Sequence, residues 1–546
     1  RDPFVPFRQA RLHAPPPTLT RTMNSKGRIV LYHPQVCDSR RSTQAGNHVL
    51  PLSLLTIAAW PHHDGYEVVI IDGALYEDAS EAHDKVVSAC DGALVYGTTA
   101  MVGYQVTDSY NCAKRVKDRF PNLVTMIGGW WASVMPKMEL ESGVFDAVCM
   151  GQGEITFREF IQAVDAGSDL EEGAGLALLR DGELIQTERR PIARWEELLN
   201  CCWDLLDFEP YRQAQLGSAG KRITERNPRP RSFKEDRPVV TMVYHASFGC
   251  PEPCAFCCSP AVTNRGWRAM PADRMLDDIE EIQDRFDFDV LRFYDANWGV
   301  REKRTKEYCE GAIKRKLNLP FLALMEPFSV LHYDSSTVDL MAEAGCYIVN
   351  IGAEAGSDPM MERIGKHTSG DDNLQAAVEL AKRDIDSYLT YIIGFPGENK
   401  ESMYATVDQA RDIRAATPLA HPWIWIYQPI PGTPFYEQSL EEGFQAPQTI
   451  QEWGEFGEYH ISETWEGRIP DDVLKRRQLF QHFSSLSQGL TRGKVGWWER
   501  RATNRLRSGH WKMARAEAKA FDVYLRSLRS VGLYKGGMTV TPSAQY

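Results

Sequence analysis

Two hydrophobic periods alternate along most of this chain. Short apolar runs bounded by Gly or Pro predict strands buried on both faces, and apolar residues three or four apart predict helices lying on them. Arg28–Pro34 (RIVLYHP), Tyr66–Gly73 (YEVVIIDG), Gly92–Tyr104, Leu123–Ser133 and Phe145–Glu154 read as strands. Pro51–Trp60 reads as a helix opened by proline in its first turn, and another helix follows Tyr104 through Lys117. Over residues 26–192 this alternation predicts a doubly wound, parallel α/β sheet ending with Phe145–Glu154. The pattern returns over 237–445, in Pro238–Tyr244, Val290–Gly299, Phe321–Val330, Cys346–Ser357, Tyr388–Glu398 and Trp423–Tyr436, with Met275, Ile279, Ile282 and Phe286 at helical spacing between the first two. That is a second parallel series.

The remaining stretches lack strands. Residues 1–25, rich in Pro and Arg, read as a disordered leader. Residues 193–236 read as a linker, a short amphipathic piece (Trp195–Tyr211) followed by a basic, Pro-rich loop. Residues 446–546 read as a helical domain, with bases and Trp497, Trp498 and Trp511 interleaved over Arg492–Lys535. Its simple reading is a solvated cap over the mouth of the second unit. The sharper one is a surface for an anionic substrate, such as a phosphorylated metabolite or an acidic carrier protein.

Composition narrows the class. The 546 residues are 43% hydrophobic and 25% charged, a soluble globular profile. No apolar run is long enough to cross a bilayer, so no membrane partner is expected. The net charge of −12 argues against nucleic acid as a partner. Most of the 12 cysteines are scattered singly, as reduced core thiols of a cytoplasmic protein would be.

The exception is FGCPEPCAFCCSP, Phe248–Pro260. Cys250, Cys254 and Cys257 form a C-x3-C-x2-C array directly after a strand. Three such thiolates can hold three corners of an iron–sulfur cube and leave one iron open. A structural zinc ion would need a fourth ligand at similar reach, and Cys258, adjacent to Cys257, can hardly supply it. On spacing alone a cluster is favoured over zinc or chance. In the first unit, the loops Gly97–Gly103, Gly128–Ser133 and Gly151–Glu154 all follow strands, where ligands of such sheets bind, and their glycines let backbone approach a bulky group.

With Phe256 just before its third cysteine, the array resembles that of the radical SAM superfamily. The resemblance implies a partial (β/α)6 barrel with its chemistry at the C-terminal rim. It also implies a [4Fe–4S] cluster at Cys250, Cys254 and Cys257, S-adenosylmethionine chelated to the open iron and cleaved to a 5′-deoxyadenosyl radical, and a low-potential electron donor such as flavodoxin or ferredoxin. Asp295 and Asn297 match the position that contacts the methionine amino group, and Glu354 in GAEAGS the one that holds its ribose or amino end. Ala355 departs from the Ser usual there. Ile392 and Phe395 in IIGFPGE match the turn that packs on adenine, and PIPGTPFY a sixth-strand signature of the cobalamin branch.

The first unit resembles the Rossmann-like cobalamin-binding domain of that branch, through GGWWASVMP and GQGE. By this resemblance Gly128, Gly129, Trp130, Gly151, Gly153 and Glu154 enclose the nucleotide tail, and Thr98, Thr99, Val102 and Gln105 lie under the corrin. The D-x-H-x-x-G motif is absent, which implies base-off cobalamin without a His ligand; His33, His62 and His63 read as ordinary polar residues. Trp130 and Trp131 suit packing on a neighbouring domain as well as on a ligand.

Together these resemblances imply a cobalamin-dependent radical SAM C-methyltransferase that moves a methyl group from methylcobalamin to an unactivated carbon of a small natural-product substrate. The alternative within the branch is an oxidative cyclase or ring-rearranging enzyme without methyl transfer. A non-catalytic cobalamin sensor would not need the complete cysteine array or Glu354. No ionisable residue is needed as acid or base.

Overall fold

The computed structural model describes residues 26–37, 48–217, 229–235, 237–456, 465, 468–488 and 496–530. The leader, most of the basic linker loop and the end of the tail lie outside the described residues.

The first sheet contains β1 (Arg28–His33), β2 (Glu67–Asp72), β3 (Val95–Thr99), β4 (Val124–Gly128), β5 (Ala147–Cys149), β6 (Leu176–Arg180) and β7 (Glu183–Gln186), in the order β2-β1-β3-β4-β5-β6-β7. β1 to β5 pair in parallel. The expectation that the sheet is wholly parallel and ends at β5 is corrected by β6 and β7, an antiparallel hairpin on its edge. Its sequence, LALLRDGELIQ, carries the Asp-Gly turn signal, and Asp181 and Gly182 both take positive φ (53° and 83°), as a tight hairpin turn requires. The single helix expected over Pro51–Trp60 is two short ones, Leu52–Ile57 and Ala59–His63, with Pro51 at the cap position.

In the second unit come β8 (Thr241–Tyr244), a small antiparallel pair β9 (Ser247–Gly249) and β10 (Trp267–Ala269), then β11 (Val290–Phe293), β12 (Phe321–Met325), β13 (Cys346–Glu354), β14 (Asp386–Ile393) and β15 (Ala420–Ile426). The six long strands are parallel, in the order β15-β14-β13-β12-β11-β8. Their outer faces are buried under helices. Phe293, for example, lies 5.3 Å from Trp298 and 5.6 Å from both Tyr308 and Phe321 between ring centroids. Such aromatic packing anchors the helix layer against the sheet.

The amphipathic linker piece Trp195–Tyr211 is folded in short segments. It forms two single 3-10 turns, Trp195–Glu197 and Trp203–Leu205, ahead of the helix Glu209–Leu216. The tail differs from the expected cap. Its helices Asp471–Ser487 and Gly496–Ser508 stack beside the helix Lys400–Ala416, the first of them also along the free edge of β15, and Ala514–Ser530 packs on Asp471–Ser487. Arg477 Nε (2.7 Å) and Gln481 Nε2 (3.2 Å) donate to the carbonyl of Ile424 in that edge strand. An uncovered edge is a pairing liability, so covering it explains the placement. The described tail meets the barrel rim at Trp465, whose Nε1 donates to Gly394 O at 2.6 Å, and at Ile469, which lies against the same glycine.

Ahead of these helices, Ile450–Glu455 straps the two units together. It packs on the helix Tyr104–Arg119, where Thr107 Oγ1 donates to Ile450 O at 3.3 Å. Trp453 lies 5.0 Å from Trp131, so Trp131 serves the packing role. Trp131 Nε1 also donates to Glu139 Oε1, while Glu139 Oε2 is buried without a partner among the described residues. Burial pushes the Glu139 carboxyl up to about 7, against the pull of the Trp131 bond. A carboxyl raised on folding lends stability that is present below its unfolded pKa and is lost as pH rises through the folded value. Between about pH 4.5 and 7 the protein is therefore expected to lose up to about 3 kcal/mol through this group. Glu139→Gln should flatten that part of the melting-temperature profile; an unchanged slope would refute the assignment.

Candidate cofactor sites at the domain interface

The cysteine loop leaves the barrel at the end of β8 and is fixed there by Asp295. Ala246 N donates to Asp295 Oδ1 at 2.8 Å, Ser247 Oγ donates to Oδ2, and Arg304 lies 3.5 Å from the carboxylate. Arg304 also donates to the carbonyls of Ala246, Trp298 and Met270. Asp295 thus holds the backbone that launches the loop. Asn297, also buried, accepts from Gly299 N at 3.2 Å.

Further along, Ala255 N donates to Ile364 O at 2.8 Å and Phe435 N donates to Ala255 O at 3.0 Å. These bonds clamp the loop between the helix Asp358–Ile364 and the turn after β15. The Phe256 ring lies 5.5 Å from Phe395, which in turn lies 5.3 Å from Tyr427 and 5.6 Å from Phe435. The aromatic before the third cysteine therefore seats the loop on the β14 turn. That turn is built by Glu398, which accepts from Gly394 N (2.7 Å), Phe395 N (3.2 Å) and Ser402 Oγ (2.8 Å). Ile392 sits half-buried just before it.

Cys254 is buried, and Cys250 and Cys257 are half-buried. Burial raises all three thiols, Cys250 to about 11, so ligation must displace protons. Cys257 Sγ accepts from Ser259 N at 3.4 Å. Among the described residues no group of three or more His, Cys, Asp or Glu could hold a single metal ion; thiolates at three corners of a cube need not meet at one atom.

Beside the loop lies a buried charge cluster that sequence reasoning missed. Lys366 Nζ pairs with Glu326, stands 3.3 Å from Glu354 Oε1 and donates to Gly352 O at 3.3 Å. Burial works against the Lys366 charge, but Glu354 and Glu326 outweigh it and hold its pKa above the lysine range. Burial raises Glu354, with Lys366 opposing. Glu354 also takes φ = 56°, in the left-handed region. A non-glycine residue held there is strained, and such strain concentrates at ligand sites. Lys366 is near enough to pull on the Cys254 and Cys257 thiols. A cation beside three prospective thiolates and two carboxylates fits an anionic cluster with a zwitterionic ligand.

On the first sheet the glycine loops meet at the C-terminal edge. Gly129 has φ = 94°, and a Cβ there would lie 2.5 Å from Thr99 Oγ1 and 2.7 Å from Ala100 O. Ser133 Oγ donates to Gly129 O (2.8 Å) and accepts from Gly151 N (3.0 Å), joining two of the turns. Thr98 Oγ1 donates to Tyr32 O (3.0 Å); Gln105 accepts from Met101 N (3.0 Å) and donates to Pro34 O (3.3 Å). Thr99, Val102 and Trp130 are half-buried, and Met101 projects from the rim, 51% exposed. Such a cradle of close backbone and apolar rim suits a flat macrocycle. Gly153 lies against Cys149 and Ile57. Glu154, however, faces the linker and barrel. With Trp195, Cys201, Tyr244, His245 and Asp278 it lines a narrow crevice, and burial raises its carboxyl. His33 pairs with Asp72 at 2.9 Å. Gly129→Ala is expected to strip cobalamin from the protein on gel filtration, measured by absorbance, because the clash is with backbone; retention at the wild-type level would count against this cradle.

The two rims abut. The helix Ser259–Thr263, directly after the cysteine loop, packs on the helix Gly129–Val134, directly after the Gly-Gly turn. A Cβ on Gly432 would lie 3.2 Å from Val134 and 3.6 Å from Ala261. Arg189 Nη2 donates to Ala261 O (2.8 Å) and Val262 O (2.7 Å). Fold and site together define a parallel α/β barrel with an iron–sulfur loop, docked against a Rossmann-type ligand domain.

Residues 244–410 match the family described as the radical SAM superfamily, and residues 42–161 that described as the B12 binding domain. The chain thus carries a radical SAM domain and a B12-binding domain, and with them the cofactors of a cobalamin-dependent radical SAM enzyme: a [4Fe–4S] cluster, S-adenosylmethionine and cobalamin. It is 25% identical to an uncharacterized methyltransferase of Pyrococcus horikoshii, over 71% of this chain and 78% of that one. It is also 25% identical to the anaerobic magnesium-protoporphyrin IX monomethyl ester cyclase of Rubrivivax gelatinosus, over 70% and 66%. The fold is shared with the radical S-adenosylmethionine methyltransferase TsrM of Kitasatospora setae, solved with cobalamin and a [4Fe–4S] cluster bound, at a TM-score of 0.60 and 14% identity, covering 88% of this chain and 99% of that one. Among the described residues no helix is long and apolar enough to cross a membrane.

Proposed function

We propose that this enzyme methylates an unactivated carbon of a small biosynthetic substrate. The observation that carries the reading is the contact of the two rims, in which Val134 after the Gly-Gly turn meets Gly432 and Ala261 beside the cysteine loop. Cofactors seated on rims that touch can act on one substrate between them. When bound, the cluster with S-adenosylmethionine supplies hydrogen-atom abstraction, and cobalamin supplies the methyl group. The chain's share is placement. Cys250, Cys254 and Cys257 would hold the cluster. Glu354, fixed by Lys366, would orient S-adenosylmethionine, and Ile392 and Phe395 would cover its adenine. Gly128, Gly129 and Gly151 would admit the cobalamin tail. The aromatic stack of Phe256, Phe395, Tyr427 and Phe435 keeps water from this side of the loop.

Likeness to the Rubrivivax cyclase favours one second reading, ring formation without methyl transfer. Product mass decides between them. Methyl transfer requires a product heavier by one CH2, a methyl group in place of a hydrogen, and the appearance of demethylated S-adenosylmethionine. Cleavage of S-adenosylmethionine with neither result would overturn the first reading.

A further inference from the structure

The interiors of closed α/β barrels are filled with side chains. This partial barrel is different. Along its strands the outward residues, such as Phe293, Phe321, Leu389 and Ile424, are buried beneath helices; on the inner face Leu322 and Ile348 are buried too, while Arg292, Leu324, Tyr388, Thr390, Trp423 and Trp425 keep solvent contact. Register places those neighbours on one inner face: Arg292 beside Leu322, Tyr388 beside His421, Thr390 beside Trp423, Ile392 beside Trp425. Tyr294 remains 40% exposed and Trp425 37%. The strands that carry the rim residues Glu354 and Ile392 thus enclose an open, accessible interior.

The chemistry of that interior is uneven. On one side, Trp423 and Trp425 stand 6.1 Å apart, and Tyr388 stacks on His421 at 6.0 Å. The ionisable groups there are already engaged: His421 Nε2 meets Asp386 at 2.8 Å, and Glu326 pairs with Lys366. Across from them, on β11, Arg292 differs. Among the described residues it has no carboxylate or hydrogen-bond partner; its guanidinium sits 4.7 Å over the Tyr294 ring. Stacking of this kind fixes the planar fork while leaving its N–H donors free. A half-buried guanidinium without a counter-ion, aimed into an open interior, is suited to a bidentate anion.

We propose that Arg292, braced by Tyr294 on the inner face of the barrel, binds a carboxylate or phosphate on a flat, mainly apolar substrate whose body lies against Trp423 and Trp425. This deepens the methyl-transfer reading and rests on it, since it names what that reaction would act on.

The test is calorimetric titration of the protein reconstituted with iron, sulfide, cobalamin and S-adenosylmethionine, without reductant so that nothing turns over. Three probes are compared: 1-naphthylacetate, 1-naphthyl phosphate and the neutral 1-naphthylacetamide. At least one anion is expected to bind about tenfold or more tighter than the amide, as a charge-assisted pair implies, and the tighter anion tells carboxylate from phosphate. Arg292→Gln should erase the preference without changing amide binding, and Trp425→Ala should weaken all three. In the wild type, added salt should shrink the preference, a readout that stands even if a variant misfolds. Equal binding of the three probes, no binding by any, or a preference that survives Arg292→Gln or high salt would overturn the proposal. Mass analysis of S-adenosylmethionine products from the same preparation judges methyl transfer separately, so either idea can fail without the other.

Discussion

Lys366→Met is expected to lower stability by about 3–5 kcal/mol, the usual cost of leaving buried charges without their partner. The Lys366 side chain is 2% exposed, with Glu326 and Glu354 at 12% and 10%. Methionine matches lysine's apolar stem, so packing is largely kept and the loss is electrostatic. Two carboxylates would then face each other with no cation between them, and each would resist ionisation. The pH dependence follows with a definite sign. A carboxyl raised on folding contributes stability that is full below its unfolded pKa and falls as pH rises through the folded one. The deficit should therefore be large at neutral pH and shrink toward pH 4, in urea unfolding curves taken side by side with the wild type. Lys366→Arg, which keeps the charge, should recover part of the loss. A methionine variant with wild-type stability at neutral pH would show that the cluster is not electrostatically coupled. The same substitution should weaken S-adenosylmethionine binding in equilibrium dialysis, since Glu354 would lose its brace.

Much of this architecture was legible because parallel strands buried on both faces leave near-continuous apolar runs, as in Arg28–Pro34 and Tyr388–Glu398. The cysteine array was legible because its spacing is local. Lys366 was not: it meets Glu326 and Glu354 only through the crossing of three chain segments, and no local pattern marks it. Arg292 reads as one more polar residue until pairing of β11 with β12 fixes which way it faces. The β6–β7 hairpin had its signal in Asp181-Gly182, but the helix–strand rhythm before it favoured ending the sheet early. Glu154 shows the opposite limit. Its GQGE motif stands out, yet its surroundings come from Trp195 and Cys201 of the folded linker and from His245 at the end of β8, which only the fold brings to it. The tail failed for a related reason, since the exposed edge of β15 that its helices cover cannot be seen before the strand order is known.

Cys254→Ala is expected to abolish the iron–sulfur chromophore and S-adenosylmethionine cleavage while leaving cobalamin bound. Cys254 is the most buried of the three thiols, and two protein corners rarely keep a cube assembled. Its neighbours are held by backbone rather than by its side chain, through Ala255 N to Ile364 O and Phe435 N to Ala255 O. The loop should therefore keep its course, and the loss should be one of ligation, not of folding. The glycine cradle contains no part of this loop, so the corrin absorbance should persist and separate a missing ligand from a collapsed protein. Cys258 cannot substitute. It lies at the start of the helix Ser259–Thr263, next to Cys257, too close along the chain to take another corner of the same cube. Cys258→Ala should accordingly keep both chromophores and full cleavage activity. Iron analysis and anaerobic absorbance spectra of the two variants read out the difference directly. If the Cys254 variant retained the brown chromophore and its cleavage activity, or if the Cys258 variant lost them, the ligand set would have to be redrawn around Cys258.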